Sequence, residues 1–251
     1  MGCTIGWIRT KEGYILFKNR DLNITNPIFS NFIRKSDSYV SFEDRRFKQG
    51  LWFAINNYGI GMACADGPYK DCPSGFMGED FKKKLNKAVF LRITKDKITS
   101  ADEATIVYKD IFYKYQVGGS LTVLICDRRK ANVLELTSEK ANVTTYHDSV
   151  FRTNHFLNMR EYNKYSPALE RSKVRLNKTA EFAESVRKAE DVLAMLKSHS
   201  RNDRESICRH GKSITMGSVS AELKNKGIDI FYFLNRWPCQ AKEYKKEVIT
   251  W

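Results

Sequence analysis

Cys3 carries the most chemical promise in this chain because of where it sits. Only Met1 and Gly2 precede it. If they are removed, Cys3 holds both a thiol and a free α-amine. An α-amine with a reference pKa of about 7.7–8.0 can take the thiol proton, so thiolate attack on an amide carbonyl needs no separate histidine. The plain alternative is a small buried residue at the start of a strand. Lys18-Asn19-Arg20-Asp21 follows at one hairpin's distance and would return a carboxylate and two cations beside the N-terminus. The carboxylate suits an α-ammonium, and the cations favour thiolate. Asp66 offers a second carboxylate, and Asn154 at a strand end offers an amide able to donate to an oxyanion. Each has an ordinary reading too: Asp21 as a turn former, Asp66 as an Asx turn before Gly67-Pro68, Asn154 as a loop residue.

The remaining thiols and imidazoles give weaker patterns. His155 and His210 can be imagined in a Cys-His dyad with Cys64 or Cys208, or beside a metal. No pair has C-x₂-C or H-x₃-H spacing, so no metal and no cofactor are expected, and His155 reads as structural. The six cysteines (3, 64, 72, 126, 208 and 239) show no tight pairing. Without a secretory signal they read as free thiols of a cytoplasmic chain.

These groups need strands and helices to hold them. Short apolar runs at Cys3 to Arg9 and Tyr14 to Asn19 flank the turn Lys11-Glu12-Gly13. Leu51 to Ile55 and Ile60 to Ala65 flank Asn56-Asn57-Tyr58-Gly59 in the same manner. Helical spacing starts at Asp80 and runs through Leu91. A second helix follows Ser100, with Ala104, Val107, Tyr108, Ile111 and Phe112 on one face. Strand patterns return at Leu121 to Cys126, Asn132 to Thr137 and Asn142 to His147. Helices fit Pro167 to Leu176 and Ala180 to Ser198, and strands fit Ser213 to Ala221, Ile228 to Leu234 and Glu247 to Trp251. Asn26 to Lys48 and Pro68 to Gly78 read as loops around a pocket. The β, α, β, α, β order without βαβ alternation favours antiparallel sheets with helices outside, in one α+β domain.

Composition limits the partners. Lys and Arg exceed Asp and Glu by 43 to 29, a net charge of +14, yet the basic residues are spread along the chain among acidic ones. That argues against nucleic acid as the partner. No apolar run approaches the roughly 18 residues of a membrane span. The sequons at Asn23, Asn142 and Asn177 carry no weight in a protein that is not exported.

The Cys-Thr start, Asn19-x-Asp21, Arg152-Thr153-Asn154-His155-Phe156, Ile207-Cys208-Arg209-His210 and Trp237-Pro238-Cys239 resemble the acyl-coenzyme A:6-aminopenicillanate (isopenicillin-N) acyltransferase-like family. More distantly they resemble the choloylglycine hydrolase and penicillin V acylase group. The resemblance runs from Cys3 to about Tyr244. It implies an N-terminal nucleophile hydrolase, an αββα four-layer sandwich of residues 3–251 freed by cleavage after Gly2. It implies Cys3 as nucleophile, Asp21 as contact of its amine, Asn154 in the oxyanion hole and Arg209 as a basic residue of the catalytic set. Lys18 stands where the bile-acid group has arginine, and Asp66 where it has an oxyanion-region asparagine. A carboxylate would repel an oxyanion, so Asp66 either binds a cationic substrate group or points elsewhere; Lys18, Arg20 and Asp66 are therefore read as substrate-binding. The expected activity is cleavage or transfer of a small-molecule acyl-amide, with a coenzyme A ester as a candidate donor, in a monomer or a homo-oligomer. The competing reading is a catalytically inactive basic protein of the same fold that binds polyanions; steep salt dependence would mark it.

Overall fold

The computed structural model describes residues 3–23, 31–45, 50–68, 79–115, 119–163, 166–199, 205–210 and 213–251. Among these residues thirteen strands form two antiparallel sheets. The six-stranded sheet is built from β1 (Thr4–Arg9), β2 (Tyr14–Asn23), β10 (Ser149–Arg152), β11 (Ser213–Lys224), β12 (Gly227–Leu234) and β13 (Lys245–Ile249), in the order β10-β1-β2-β11-β12-β13. The seven-stranded sheet runs in chain order through β3 (Asn31–Lys35), β4 (Tyr39–Asp44), β5 (Gly50–Asn56), β6 (Gly61–Asp66), β7 (Ser120–Cys126), β8 (Ala131–Thr137) and β9 (Ala141–Tyr146).

The sheets face one another across Ile5, Trp7, Leu16, Phe42, Phe53, Leu124, Val219 and Ile230, all fully buried. The outer face of the seven-stranded sheet is covered by α1 (Glu79–Lys95) and α2 (Ala101–Lys114), through Leu85, Val89, Ile93 and Tyr108 against Met62, Val123 and Leu134. The outer face of the six-stranded sheet carries α3 (Pro167–Ala183) and α4 (Ala189–Lys197), with Val192, Met195 and Leu196 packed on Ile15, Phe17 and Phe231. Each sheet thus buries both faces, giving four layers, αββα. Among the described residues no helix is long and apolar enough to cross a membrane.

Local rules explain the helix starts. Ser100 accepts from the Asp102 amide at the head of α2, and Ser166 caps α3 with Pro167 in its first turn. Two readings from sequence need correction. The segment expected as two helices, 167–176 and 180–198, breaks later: α3 continues to Ala183 and α4 starts at Ala189. The buried face of α3 is polar, Ser172, Arg175 and Thr179, so apolar spacing did not reveal its length. The stretch 26–48 is not loop throughout. Its described part holds β3 and β4, and β4 hides Glu43 and Asp44 because Arg34 and Lys87 pair with Glu43, and Arg20 with Asp44. Buried, paired carboxylates at a strand end look like loop residues in a sequence. Much of 68–78 lies outside the described residues.

A candidate active site around Cys3

The strand β2 sorts its side chains by period two. Leu16, Lys18 and Arg20 lie on the side of Trp52 in the opposite sheet, whereas Ile15 and Phe17 meet the α4 layer. Cys3, just before β1, is 5% exposed and belongs to the intersheet core. With Lys18, Arg20, Asp21, Trp52, Cys64 and Asp66 it lines a narrow cleft that is partly open to solvent. The fold therefore gathers six residues named from sequence, Cys3, Lys18, Arg20, Asp21, Cys64 and Asp66, around one opening.

Asn154 joins them from two residues past the end of β10. Its Oδ1 accepts from the Cys3 backbone nitrogen at 2.6 Å, and its Nδ2 donates to the Asp66 carbonyl at 2.9 Å. Its own N–H donates to Ser172 Oγ at 3.0 Å, which ties the loop to α3. The buried Glu135 carboxylate accepts from the Leu157, Asn158 and Met159 amides, fixing the chain just beyond. His155 Nδ1 lies 2.9 Å from Ser172 Oγ and 3.1 Å from Thr153 Oγ1, and burial, helped by Arg175, pushes its pKa down to about 4. It is a neutral ring bracing the loop.

Asp21 sits at 2% exposure, accepting from Thr215 Oγ1 at 2.6 Å, with Arg209 Nη1 at 3.5 Å from its other oxygen. Burial raises its pKa above the usual carboxylate range; Arg209, Arg175 and the Thr215 hydroxyl oppose that rise. The bulge between Thr215 and Gly217 of β11 is what brings the Thr215 hydroxyl opposite Asp21. Arg209 is anchored by its own amide, which donates to Thr215 Oγ1 at 2.9 Å. Asn19 explains the Asn-x-Asp pattern: its Nδ2 donates to the carbonyls of Leu196 and Ile207, holding the segment that carries Arg209.

Lys18 and Arg20 are committed inside the cleft. Lys18 Nζ donates to the Cys64 carbonyl, Arg20 pairs with Asp44, and both cations lie 5.6 Å from the Trp52 ring centroid. Cys64, by contrast, is a deeply buried thiol pushed up to about 12 by desolvation.

One residue of the cluster has no counterpart in the sequence reading. Arg175, on the polar face of α3, donates to Asn154 Oδ1 at 3.2 Å and is close enough to Asp21, Cys3 and Arg209 to feel their charge. Burial lowers its pKa to about 10, against the upward pull of Asp21. The clue available was Ser172, Arg175 and Thr179 at i, i+3 and i+7, a polar stripe that only pays a purpose if it faces another polar group. Arg175, Arg171 and Arg209, with Asn154, Gly67 and Ser213, also line a second pocket that is partly open to solvent.

Comparison with known proteins agrees with this architecture. The mutant conjugated bile acid hydrolase from Clostridium perfringens superposes with a TM-score of 0.53 at 14% identity, covering 99% of this chain and 96% of that one. Penicillin V acylase from Agrobacterium tumefaciens gives 0.53 at 11% identity, covering 99% and 86%. Both share the N-terminal nucleophile hydrolase fold seen here. No curated protein gives a significant match by sequence. The family model of acyl-coenzyme A:6-aminopenicillanic acid acyl-transferase matches residues 8–228, beginning five residues after Cys3. With that match spanning most of the chain, the protein belongs to the acyl-coenzyme A:6-aminopenicillanic acid acyl-transferase family.

Proposed function

We propose that the chain is an N-terminal-cysteine amidase or acyltransferase that matures by losing Met1 and Gly2 and then works through a thioester on Cys3. The observation that carries this reading is the 2.6 Å contact between the Cys3 nitrogen and Asn154 Oδ1 at a cleft also lined by Asp21. In the full-length chain that nitrogen is an amide. After cleavage it becomes the α-amine, held by the same Asn154 oxygen and close to a buried carboxylate.

The thiol proton passes to that amine as Sγ attacks the substrate carbonyl carbon. Asn154 Nδ2 has two hydrogens; one is taken by the Asp66 carbonyl, and the second is the donor for the oxyanion, worth about 10²–10³ in rate. When the intermediate collapses, the carbon–nitrogen bond breaks and the leaving amine takes the proton from the Cys3 ammonium. Water, or an acceptor amine, then gives a proton to the α-amine, attacks the thioester and releases the acyl group, and Sγ regains its proton. Asp21 stabilises the ammonium form of the amine, and Arg209 opposes the burial that favours protonated Asp21.

Lys18, Arg20 and Asp66 line the cleft and are assigned to substrate binding. The Arg171, Arg175 and Arg209 pocket suits an anionic part, a carboxylate or the phosphates of a coenzyme A ester. The test is intact mass together with a screen of acyl-amides for an acyl-Cys3 adduct. The purified protein should lack Met1 and Gly2, and Cys3→Ala should retain Gly2. A full-length protein whose Cys3→Ala variant turns over as fast as wild type would remove the proposal and leave the polyanion-binding reading.

A further inference from the structure

Behind Arg209 the fold assembles a second cluster that the spacing of the sequence hides. His199 follows α4, Cys208 and His210 flank Arg209, and Cys239 lies in the 3₁₀ turn Pro238–Gln240. Two of the chain's six cysteines and two of its four histidines thus meet from three separate segments. Their donor atoms all lie within 4.8 Å of one another. His210 Nε2 is 3.1 Å from Cys239 Sγ and 3.7 Å from Cys208 Sγ. A tetrahedral zinc with Zn–S of about 2.3 Å and Zn–N of about 2.0–2.1 Å needs donor separations of about 3.3–3.8 Å. With the widest separation no more than 4.8 Å, side-chain adjustments of about 1–1.5 Å close the shell.

We propose that His199, Cys208, His210 and Cys239 bind one zinc ion in a closed, structural Cys₂His₂ site that fastens the segment carrying Arg209. Two thiolates and two imidazoles suit zinc and do not suit magnesium or calcium, which take oxygen donors. On binding, each thiol gives up its proton to solvent, and the two thiolates neutralise the ion. The surroundings are those of a structural site. Cys208 is fully buried and its amide donates to the Ser198 carbonyl at 3.0 Å, while the Trp237 ring lies 4.3 Å from that of His210 and covers it. The exposed His199 gives the ion a way in. Arg209, between two ligands, meets Asp21 on its other side, so the site would stiffen one wall of the candidate active site without touching it.

The measurement is metal content by mass spectrometry on protein expressed with zinc, and the absorption spectrum after exchange with Co²⁺. One zinc per chain is expected, with thiolate-to-cobalt charge-transfer and tetrahedral d–d bands. Cys239→Ser should lose both, and Cys3→Ala should keep both. Chelation should lower the wild-type Tm by about 5 °C or more and leave that of Cys239→Ser unchanged. If Cys239→Ser fails to fold, the wild-type cobalt spectrum decides alone. Zinc well below one per chain with no thiolate–cobalt band overturns the proposal, as does a chain 2 Da light from a Cys208–Cys239 disulfide. These readouts involve no turnover, so they stand or fall separately from the Cys3 mechanism.

Discussion

Replacing Arg175 with methionine should slow the chemistry while leaving the fold as stable as before or more so. The guanidinium donates to Asn154 Oδ1 at 3.2 Å, the same oxygen that accepts from the Cys3 nitrogen. Two donors on Oδ1 fix which way the amide lies, and so aim Nδ2 at the Asp66 carbonyl and the oxyanion position. A hydrogen bond from a charged donor is worth about 1.5–3 kcal/mol. At about 1.4 kcal/mol per decade, its loss costs roughly 10- to 150-fold in rate if it serves the transition state. Stability should move the other way. Burial holds the Arg175 pKa down to about 10, the sign of a charge the folded state accommodates poorly, and its Nε has no hydrogen-bond partner among the described residues. Methionine keeps the buried stem and removes that charge, and Arg209 still neutralises Asp21. Release of Met1–Gly2 followed by intact mass, together with thermal unfolding, gives both quantities. Processing at the wild-type rate, or a loss of several kcal/mol in stability with no change in rate, would refute the reasoning.

Other consequences can be checked alongside. His155 binds a proton at about pH 4 when folded but near 6.5 when unfolded, so the unfolded chain holds more protons between those values. Stability should be full above about pH 6.5 and fall as the pH drops toward 4, by up to about 3 kcal/mol less what residual solvation removes. In His155→Gln that part of the slope should disappear from urea titrations. Iodoacetamide at about pH 8 should label Cys3 of the mature chain and spare Cys64, whose thiol is held near 12, as peptide mapping would reveal. At Gly13 an added Cβ would stand 2.1 Å from the Leu223 carbonyl oxygen, a backbone atom that cannot step aside. Gly13→Ala should cost about 2 kcal/mol or more, and a Tm equal to wild type would contradict the packing described. Glu135→Gln should loosen the loop after Asn154 by weakening three amide contacts, costing about 1–3 kcal/mol in denaturant titrations.

Much of the fold was legible because burial writes periodicity into sequence. The β5–β6 hairpin, the α2 face and the strands β7 to β9 stand close to their expected bounds, whereas β2, expected to end at Asn19, runs on to Asn23 and carries Arg20 and Asp21 with it. Legibility failed where the buried face is polar. The Ser172, Arg175 and Thr179 stripe of α3 and the Glu43 and Asp44 end of β4 are buried by pairing, so hydrophobic spacing passes over them. The candidate site divides in the same way. Cys3, Asp21 and Asn154 were singled out by residue type and position, and the fold sets Cys3 beside Asn154 and Asp21 in the wall of the same cleft. Lys18 and Arg20 line the cleft, and only the opposing sheet shows that their charges are already engaged.

By itself the sequence determined the alternation of sheet and helix, the turn at Gly13 and the short list of groups able to do chemistry, because these depend on neighbours along the chain. What Asn154 holds, that Arg175 joins it, and that His199, Cys208, His210 and Cys239 share one point were decided by tertiary structure alone. Those contacts join residues separated by as many as 151 positions. The distance between such partners is set by how two sheets stack and where α3 and α4 lie on them, and no local spacing records it.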